Sequence, residues 1–166
     1  MELHVQEFDL AGVIDDVVTT AEALARVKHN QLSVSCPDDP GAMRADQTRL
    51  RQVLLNLVSN ACKFTEDGTI ELTVERAPRS GSPGVSIIVS DTGIGMTPEQ
   101  MEIVFQPFSQ ADSSIAEKYG GTGLGLTISR EYCRMMGGDI IVQSEPGTGT
   151  TFRVWLPRDV DVRSQE

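Results

Sequence analysis

Apolar positions along the chain recur with two periods, and these divide it into helices and strands. Between Asp46 and Thr65, Leu50, Val53, Leu54, Leu57, Val58 and Ala61 follow the three-and-four spacing of a buried helical stripe. Asp46 is its N-cap, because a carboxylate there can accept from the free amides of the first turn. Leu10, Val13, Ile14, Val17, Val18, Ala21, Leu24 and Ala25 give an earlier helix that follows Asp9 and ends near His29 and Asn30. Residues 3–8, 31–35 and 42–45 alternate like short strands. Thr69 to Ala77 is a strand with Ile70, Leu72 and Val74 on one face. Val85 to Val89 is a nearly continuous apolar run, which predicts a central strand buried on both faces with Asp91 at its end. Thr97-Pro98-Glu99-Gln100 combines a capping box with proline at the first helical position and starts a short helix that ends before Pro107. Another helix opens at Thr122 or Gly123 and runs to about Met136, where Gly137-Gly138 stops it. Asp139 to Ser144 and Thr150 to Leu156 form a hairpin around Pro146-Gly147-Thr148-Gly149. The pattern predicts an α+β fold, a two-layer sandwich whose mixed, mostly antiparallel sheet is packed on one face by about three long helices.

Polar residues add chemistry to three of these elements. On the 46–65 helix, Asn56, Asn60 and Lys63 are spaced by four and then three and fall within an arc of roughly 60°. Either the two asparagines bond neighbouring backbone, or this face meets a ligand. In Asp91-Thr92-Gly93-Ile94-Gly95, a carboxylate at a strand end precedes two glycines that let backbone approach a flat ligand. Asp91 only accepts, which suits the exocyclic amine of adenine; the plainer reading is a glycine turn. Gly120-Gly121-Thr122-Gly123-Leu124-Gly125-Leu126 sits where a polar, aperiodic loop (residues 108–121, read as mobile) meets a helix N-terminus, a place suited to anions. No GK[ST] follows it and no strand runs directly into it, so it is neither a Walker A loop nor a dinucleotide fingerprint.

Bulk properties narrow the classes. A length of 166 residues fits one domain. The net charge of −10 argues against nucleic acid as a partner but leaves room for a nucleotide whose phosphates are offset by Mg²⁺ and local donors. No apolar run approaches membrane-span length and no signal pattern opens the chain, so the segment is expected to make no direct membrane contact. Its expected location is the cytoplasm, or the cytoplasmic portion of a membrane-anchored protein. Cys36, Cys62 and Cys133 have no CxxC or zinc spacing and read as small buried hydrophobes.

The motifs gain specificity from their order. Asn-x3-Asn-Ala-x-Lys-Phe-Thr from Asn56, Asp-x-Gly-x-Gly from Asp91, Phe-x-Pro-Phe from Phe105, and Gly-x-Gly-Leu-Gly-Leu from Gly121 together resemble the catalytic ATP-binding domain of two-component sensor histidine kinases. That domain belongs to the Bergerat-fold group, with gyrase-type, mismatch-repair and heat-shock chaperone ATPases. The resemblance runs from about Phe8 to Pro157, and the Phe108–Asp112 and Tyr119–Leu126 runs look most like hybrid histidine kinases. It implies a catalytic domain over 1–157, with 158–166 a polar tail or the start of a linker. It implies that Asn60 ligates Mg²⁺, that Asn56 lies beside phosphates and metal, and that Lys63 contacts phosphate. Asn56 and Lys63 would be the catalytic pair. Phe64 would line the nucleotide pocket, Asp91 would bind the adenine amine, and Gly93 and Gly95 would shape that wall. Phe105 and Phe108 would anchor a loop that closes over ATP, with Lys118 a cation on the γ-phosphate. Gly121, Thr122, Gly123, Leu124, Gly125 and Leu126 would form the phosphate loop, and Thr151 would reach the adenine side.

The same resemblance sets expectations for activity. The hydrolysing cousins carry glutamate where this chain has Asn56, a far poorer base, so the chain is expected to hold ATP without spending it on water. The implied acceptor is a histidine on a dimerisation domain. Neither His4 nor His29 lies in the acceptor's motif, so that domain is expected elsewhere, with a response regulator or fused receiver as the next partner and the isolated domain monomeric. The alternatives are a Bergerat-type ATPase, which Asn56 disfavours, and a non-catalytic nucleotide-binding partner module. A related serine kinase acting on an anti-anti-sigma factor fits the Phe-x-Pro-Phe stretch and lid less well.

Overall fold

The computed structural model describes residues 3–105 and 125–160. In chain order the elements are β1 (Gln6–Asp9), α1 (Leu10–Val27), β2 (Gln31–Ser35), β3 (Ala42–Ala45), α2 (Gln47–Phe64), β4 (Thr69–Arg76), β5 (Gly84–Asp91), α3 (Pro98–Ile103), α4 (Gly125–Met135), β6 (Asp139–Glu145) and β7 (Gly149–Pro157). The main sheet has the order β2-β4-β5-β7-β6 and is antiparallel except for the β2/β4 pair. Helices α1, α2 and α4 cover one face of it, with α2 between the other two. This is the predicted two-layer sandwich.

The apolar stripe of α2 (Leu50, Val53, Leu54, Leu57, Val58 and Ala61) is buried together with Leu10, Val13, Ile14, Val17 and Ala21 of α1 against Ile70, Leu72, Ile87 and Val154 of the sheet. Asp46 caps α2 as expected, accepting from the Arg49 amide at 3.0 Å, and its other oxygen accepts from the His4 amide at 2.9 Å. One carboxylate thus fixes the helix start and the incoming strand together. The Thr97–Gln100 capping box is formed in both directions. Cys62 and Cys133 are buried free thiols, and burial pushes them up to about 11 and about 12, so both stay protonated and unreactive at neutral pH.

Helix α1 ends in a Schellman motif. The Asn30 amide donates to Ala25 O (2.9 Å) and the His29 amide to Arg26 O (3.2 Å), which places His29 at φ 59°. Glycine is the usual residue there because a Cβ in the left-handed region costs about 1–2 kcal/mol. His29→Gly is therefore expected to raise stability by about 0.5–1 kcal/mol in urea unfolding. Nucleotide affinity should stay unchanged.

Two expectations are corrected. The central strand β5 is not buried on both faces. Val85, Ile87 and Val89 face the helices, whereas Ile88 is partly exposed on the open face. Ser86 is buried there by Trp155, its partner across the β5/β7 register. The indole donates to Ala77 O at 2.6 Å and lies under the Arg79 guanidinium, 4.4 Å from the ring centroid. An antiparallel strand needs only one covered face, and a single distant tryptophan supplied the rest. The second correction concerns the chain beyond Pro157. Arg158 O accepts from the Arg44 amide (2.7 Å) and the Val160 amide donates to Arg44 O (2.8 Å), so this stretch runs parallel along β3 and buries Val160. The first part of the expected tail is thus bridged to β3 as far as residue 160.

Candidate functional site

Strand β5 delivers Asp91 beneath the C-terminal end of α2. Its Oδ1 accepts from the Gly93 amide (2.9 Å) and the Thr150 amide (3.2 Å). Burial pushes the carboxyl above its ordinary value, and these two amides and the nearby Thr65 hydroxyl pull against that. Among the described residues no backbone amide donates to Oδ2. Beside it, Thr65 Oγ1 is buried without a well-formed hydrogen bond, although the whole residue is only 1% exposed. A buried carboxylate and a buried hydroxyl side by side mark a polar place in an otherwise apolar interior.

The glycines after Asp91 are dictated by their walls. A Cβ on Gly93 would lie 2.2 Å from Phe64 O and 2.6 Å from Thr65 Oγ1. Gly95, at φ 70°, would put one 1.9 Å from Glu145 O. The Ile94 amide donates to Phe64 O (3.1 Å), and Ile94 O accepts from the Gly147 amide (2.7 Å). The segment after β5 is thereby clamped between the end of α2 and the β6/β7 turn. Asn30 fixes the α2 end from behind, donating to Thr65 O (2.8 Å) and accepting from the Gly68 amide (3.0 Å).

Along α2 the expected residues lie in line. Phe64 abuts Gly93, and Lys63 and Asn60 precede it, both half-buried. Asn60 has no side-chain hydrogen bond among the described residues. Asn56 meets the N-terminus of α4, its Nδ2 donating to Ser129 Oγ at 3.0 Å. From Asn56 to Phe64 the helix rises about 12 Å, the scale of an extended nucleotide. One end offers a buried carboxylate and the other a helix N-terminus, whose free amides favour an anion.

Gly125 opens α4 and stands against the outer edge of the Asn56 amide. Leu126 is half-buried and packs against the core. Phe105 is held three ways: its carbonyl accepts from Thr127 Oγ1 (2.7 Å), its ring meets Phe152 edge-on at 6.2 Å, and Arg130 stacks 4.7 Å above it. Arg130 is itself bonded to Asp139 (2.9 Å). Burial raises the Asp139 carboxyl, but the hydrogen bonds from Arg130 and the Ile140 amide, with the Arg130 and Arg134 charges, outweigh it and hold the group below its ordinary value. Phe108, Lys118, Gly121, Thr122, Gly123 and Leu124, with the expected lid, lie outside the described residues.

Thr151 is not where the resemblance put it. It pairs with Ser90 in the β5/β7 register, and its hydroxyl meets Ser90 Oγ at 2.9 Å on the open face of the sheet. Thr150, opposite Asp91, is the threonine on the site side. The signal was present in the strand period: Phe152, Val154 and Leu156 are apolar and face the helices, and two residues before Phe152 is Thr150. Thr65 and Ser129 were also missed, because a buried hydroxyl has no periodic signature.

A family model described as histidine kinase-, DNA gyrase B-, and HSP90-like ATPase matches residues 45–160, and the chain belongs to that family. Within it, the relatives are sensor histidine kinases. The chain is 46% identical over 131 residues to the autoinducer 2 sensor kinase/phosphatase LuxQ of Vibrio vulnificus, covering 78% of this chain and 15% of LuxQ. It is 40% identical over 167 residues to the circadian input-output histidine kinase CikA of Synechococcus elongatus, covering 99% of this chain and 22% of CikA. The nucleotide-free catalytic domain of histidine kinase ThkA superposes with a TM-score of 0.77 at 28% identity, covering 95% of this chain and 97% of ThkA's. Full-length ShkA in complex with AMPPNP superposes at 0.78 with 32% identity, covering 97% of this chain and 32% of ShkA. The chain spans less than a quarter of the length of either curated relative. No helix among the described residues is long and apolar enough to cross a membrane.

Proposed function

We propose that this chain binds Mg-ATP and presents the γ-phosphoryl group to a histidine on a dimerisation domain of its parent protein, within two-component signalling. The observation that carries the reading is Asp91, a buried carboxylate held through one oxygen by two amides, with the Thr65 hydroxyl beside it and no amide on its other oxygen among the described residues. A group that only accepts, in a narrow wall of glycines, selects a flat ring bearing an amine.

The remaining residues divide the work. Asn60, with its amide unengaged among the described residues, would hold Mg²⁺, which supplies charge neutralisation on the phosphates. Lys63 would add a donor on the phosphate side, and the α4 N-terminus would add free amides. Asn56 donates to Ser129 and cannot abstract a proton from water, which favours transfer to a protein acceptor over hydrolysis. Phosphoryl transfer asks mainly for such positioning and electrostatic support. A response regulator or a fused receiver domain would take the phosphoryl group next. The segment is read as facing the cytoplasm.

Titration calorimetry of the chain with ATP, with and without Mg²⁺, paired with a hydrolysis assay, tests the reading. Binding without appreciable turnover, followed by labelling of the acceptor domain added in trans, is the expected result. Rapid hydrolysis by the chain alone would transfer it to the ATPase class. Asn60→Ala is expected to remove most of the Mg²⁺-dependent gain in affinity while sparing Mg²⁺-free binding; an unchanged Mg²⁺ increment would take Asn60 out of the metal site.

A further inference from the structure

We infer that Ser129 and Gly125 are positioning residues that fix the Asn56 amide for phosphoryl transfer. This inference rests on the kinase reading above. Ser129 is 3% exposed, in the second turn of α4, on a buried face otherwise formed by Cys133. A serine in that place costs free energy unless its hydroxyl is bonded, and alanine would form the helix better. Its only hydrogen bond among the described residues goes to Asn56 Nδ2, across the α2/α4 interface.

Gly125 lies one turn earlier on the same face of α4. A Cβ there would stand 2.7 Å from Asn56 Oδ1, 2.8 Å from Nδ2 and 3.1 Å from Cγ. With Cγ the farthest of the three atoms, the glycine stands at the outer edge of the amide, in line with its plane and between Oδ1 and Nδ2. The amide is thus met end-on by the Gly125 backbone and held at its nitrogen by a hydroxyl. Its Oδ1 has no hydrogen bond among the described residues. The last glycine of the Gly-x-Gly-Leu-Gly-Leu stretch is therefore required by a side chain of this protein, before any phosphate is considered.

The arrangement has a functional sense because position 56 carries a neutral carboxamide, which is no base. A carboxamide presents an acceptor on one side and a donor on the other, and a half-turn exchanges them. Engaging the nitrogen through Ser129 fixes which end of the amide is the acceptor and leaves Oδ1 without a partner among the described residues. Adenine capture at Asp91, some 12 Å away along α2, does not depend on this orientation. The pair therefore acts on transfer and leaves nucleotide capture alone.

The test uses Ser129→Ala, Asn56→Ala and the double variant in the full-length kinase that contains this chain, with phosphoryl transfer to its own acceptor domain as readout. Ser129→Ala is expected to lower kcat about tenfold with the KM for ATP within about twofold, and to cost nothing further in the Asn56→Ala background. In the ligand-free chain, the Asn56 side-chain amide proton signal should move upfield in Ser129→Ala while that of Asn60 stays. Equal losses of kcat in both backgrounds, or an Asn56 signal that does not move, would reduce Ser129 to helix packing and overturn the inference. A wild-type protein that transfers normally beside an equally active Ser129→Ala would overturn the inference alone. A wild-type protein that binds no ATP would overturn the kinase reading as well.

Discussion

Asp91→Asn is expected to weaken ATP binding by about one to two orders of magnitude, because a hydrogen bond to a charged acceptor is lost. It should leave the ligand-free domain as stable as before, or more so. In the variant the amide oxygen can still accept from Gly93 and Thr150, since both bonds go to a single oxygen. What changes is the other position, where an NH₂ would face the adenine amine, donor against donor. The stability gain follows from the direction of the Asp91 shift. A carboxyl whose folded value is raised binds its proton more tightly in the native state, so stability falls as pH climbs from the ordinary 3.8 through the raised value, and stays lower above it. Asparagine has no such titration. Urea unfolding of both proteins between pH 3.5 and 7 checks this: the difference in stability should grow with pH and then level off. Asp139 titrates with the opposite sign and cancels in the comparison. Unchanged ATP affinity would remove Asp91 from the site.

Gly95→Ala should have a large effect on the fold. The left-handed backbone at φ 70° costs about 1–2 kcal/mol for a residue with a Cβ. The methyl would also fall 1.9 Å from Glu145 O, with Pro146 Cα behind it at 3.1 Å. Backbone on both sides cannot yield as a side-chain tip would, so the total is expected to reach about 3 kcal/mol or more, a large share of a domain's stability. Gly81→Ala is the matched control. Its φ of 80° carries a similar backbone cost, but nothing lies within 4 Å of the new methyl. Its loss should stay near 1 kcal/mol. Equal losses in the two variants would show that the wall formed by Glu145 and Pro146 is soft.

These two residues illustrate what the sequence could and could not disclose. The stripe of α2, the cap at Asp46 and the Thr97–Gln100 box were legible because each rests on contacts within a few residues, which sequence spacing encodes directly. The order of the glycine motifs gave the family, although each motif alone admitted a plain structural reading. What sequence could not supply were contacts between distant elements. Trp155 over Ser86, the 158–160 segment along β3, and Ser129 against Asn56 join residues 69 or more positions apart, with no periodic trace. The Thr151 error is of another kind. A position carried over from a motif overrode the strand's own period, which already pointed to Thr150.

The anchoring of Phe105 has a consequence for evolution. Its carbonyl is bonded to Thr127, and its ring is gripped by Arg130 of the same helix, so the chain leaves α3 and re-enters at α4 through points fixed to one another. For a connection with fixed ends, doubling the length adds only about 0.6 kcal/mol of closure entropy. A change in the number of residues between Phe105 and Gly125 is thus expected to cost the scaffold little. Natural variation can work on that stretch while α2, β5 and β7 keep the remainder of the site constant.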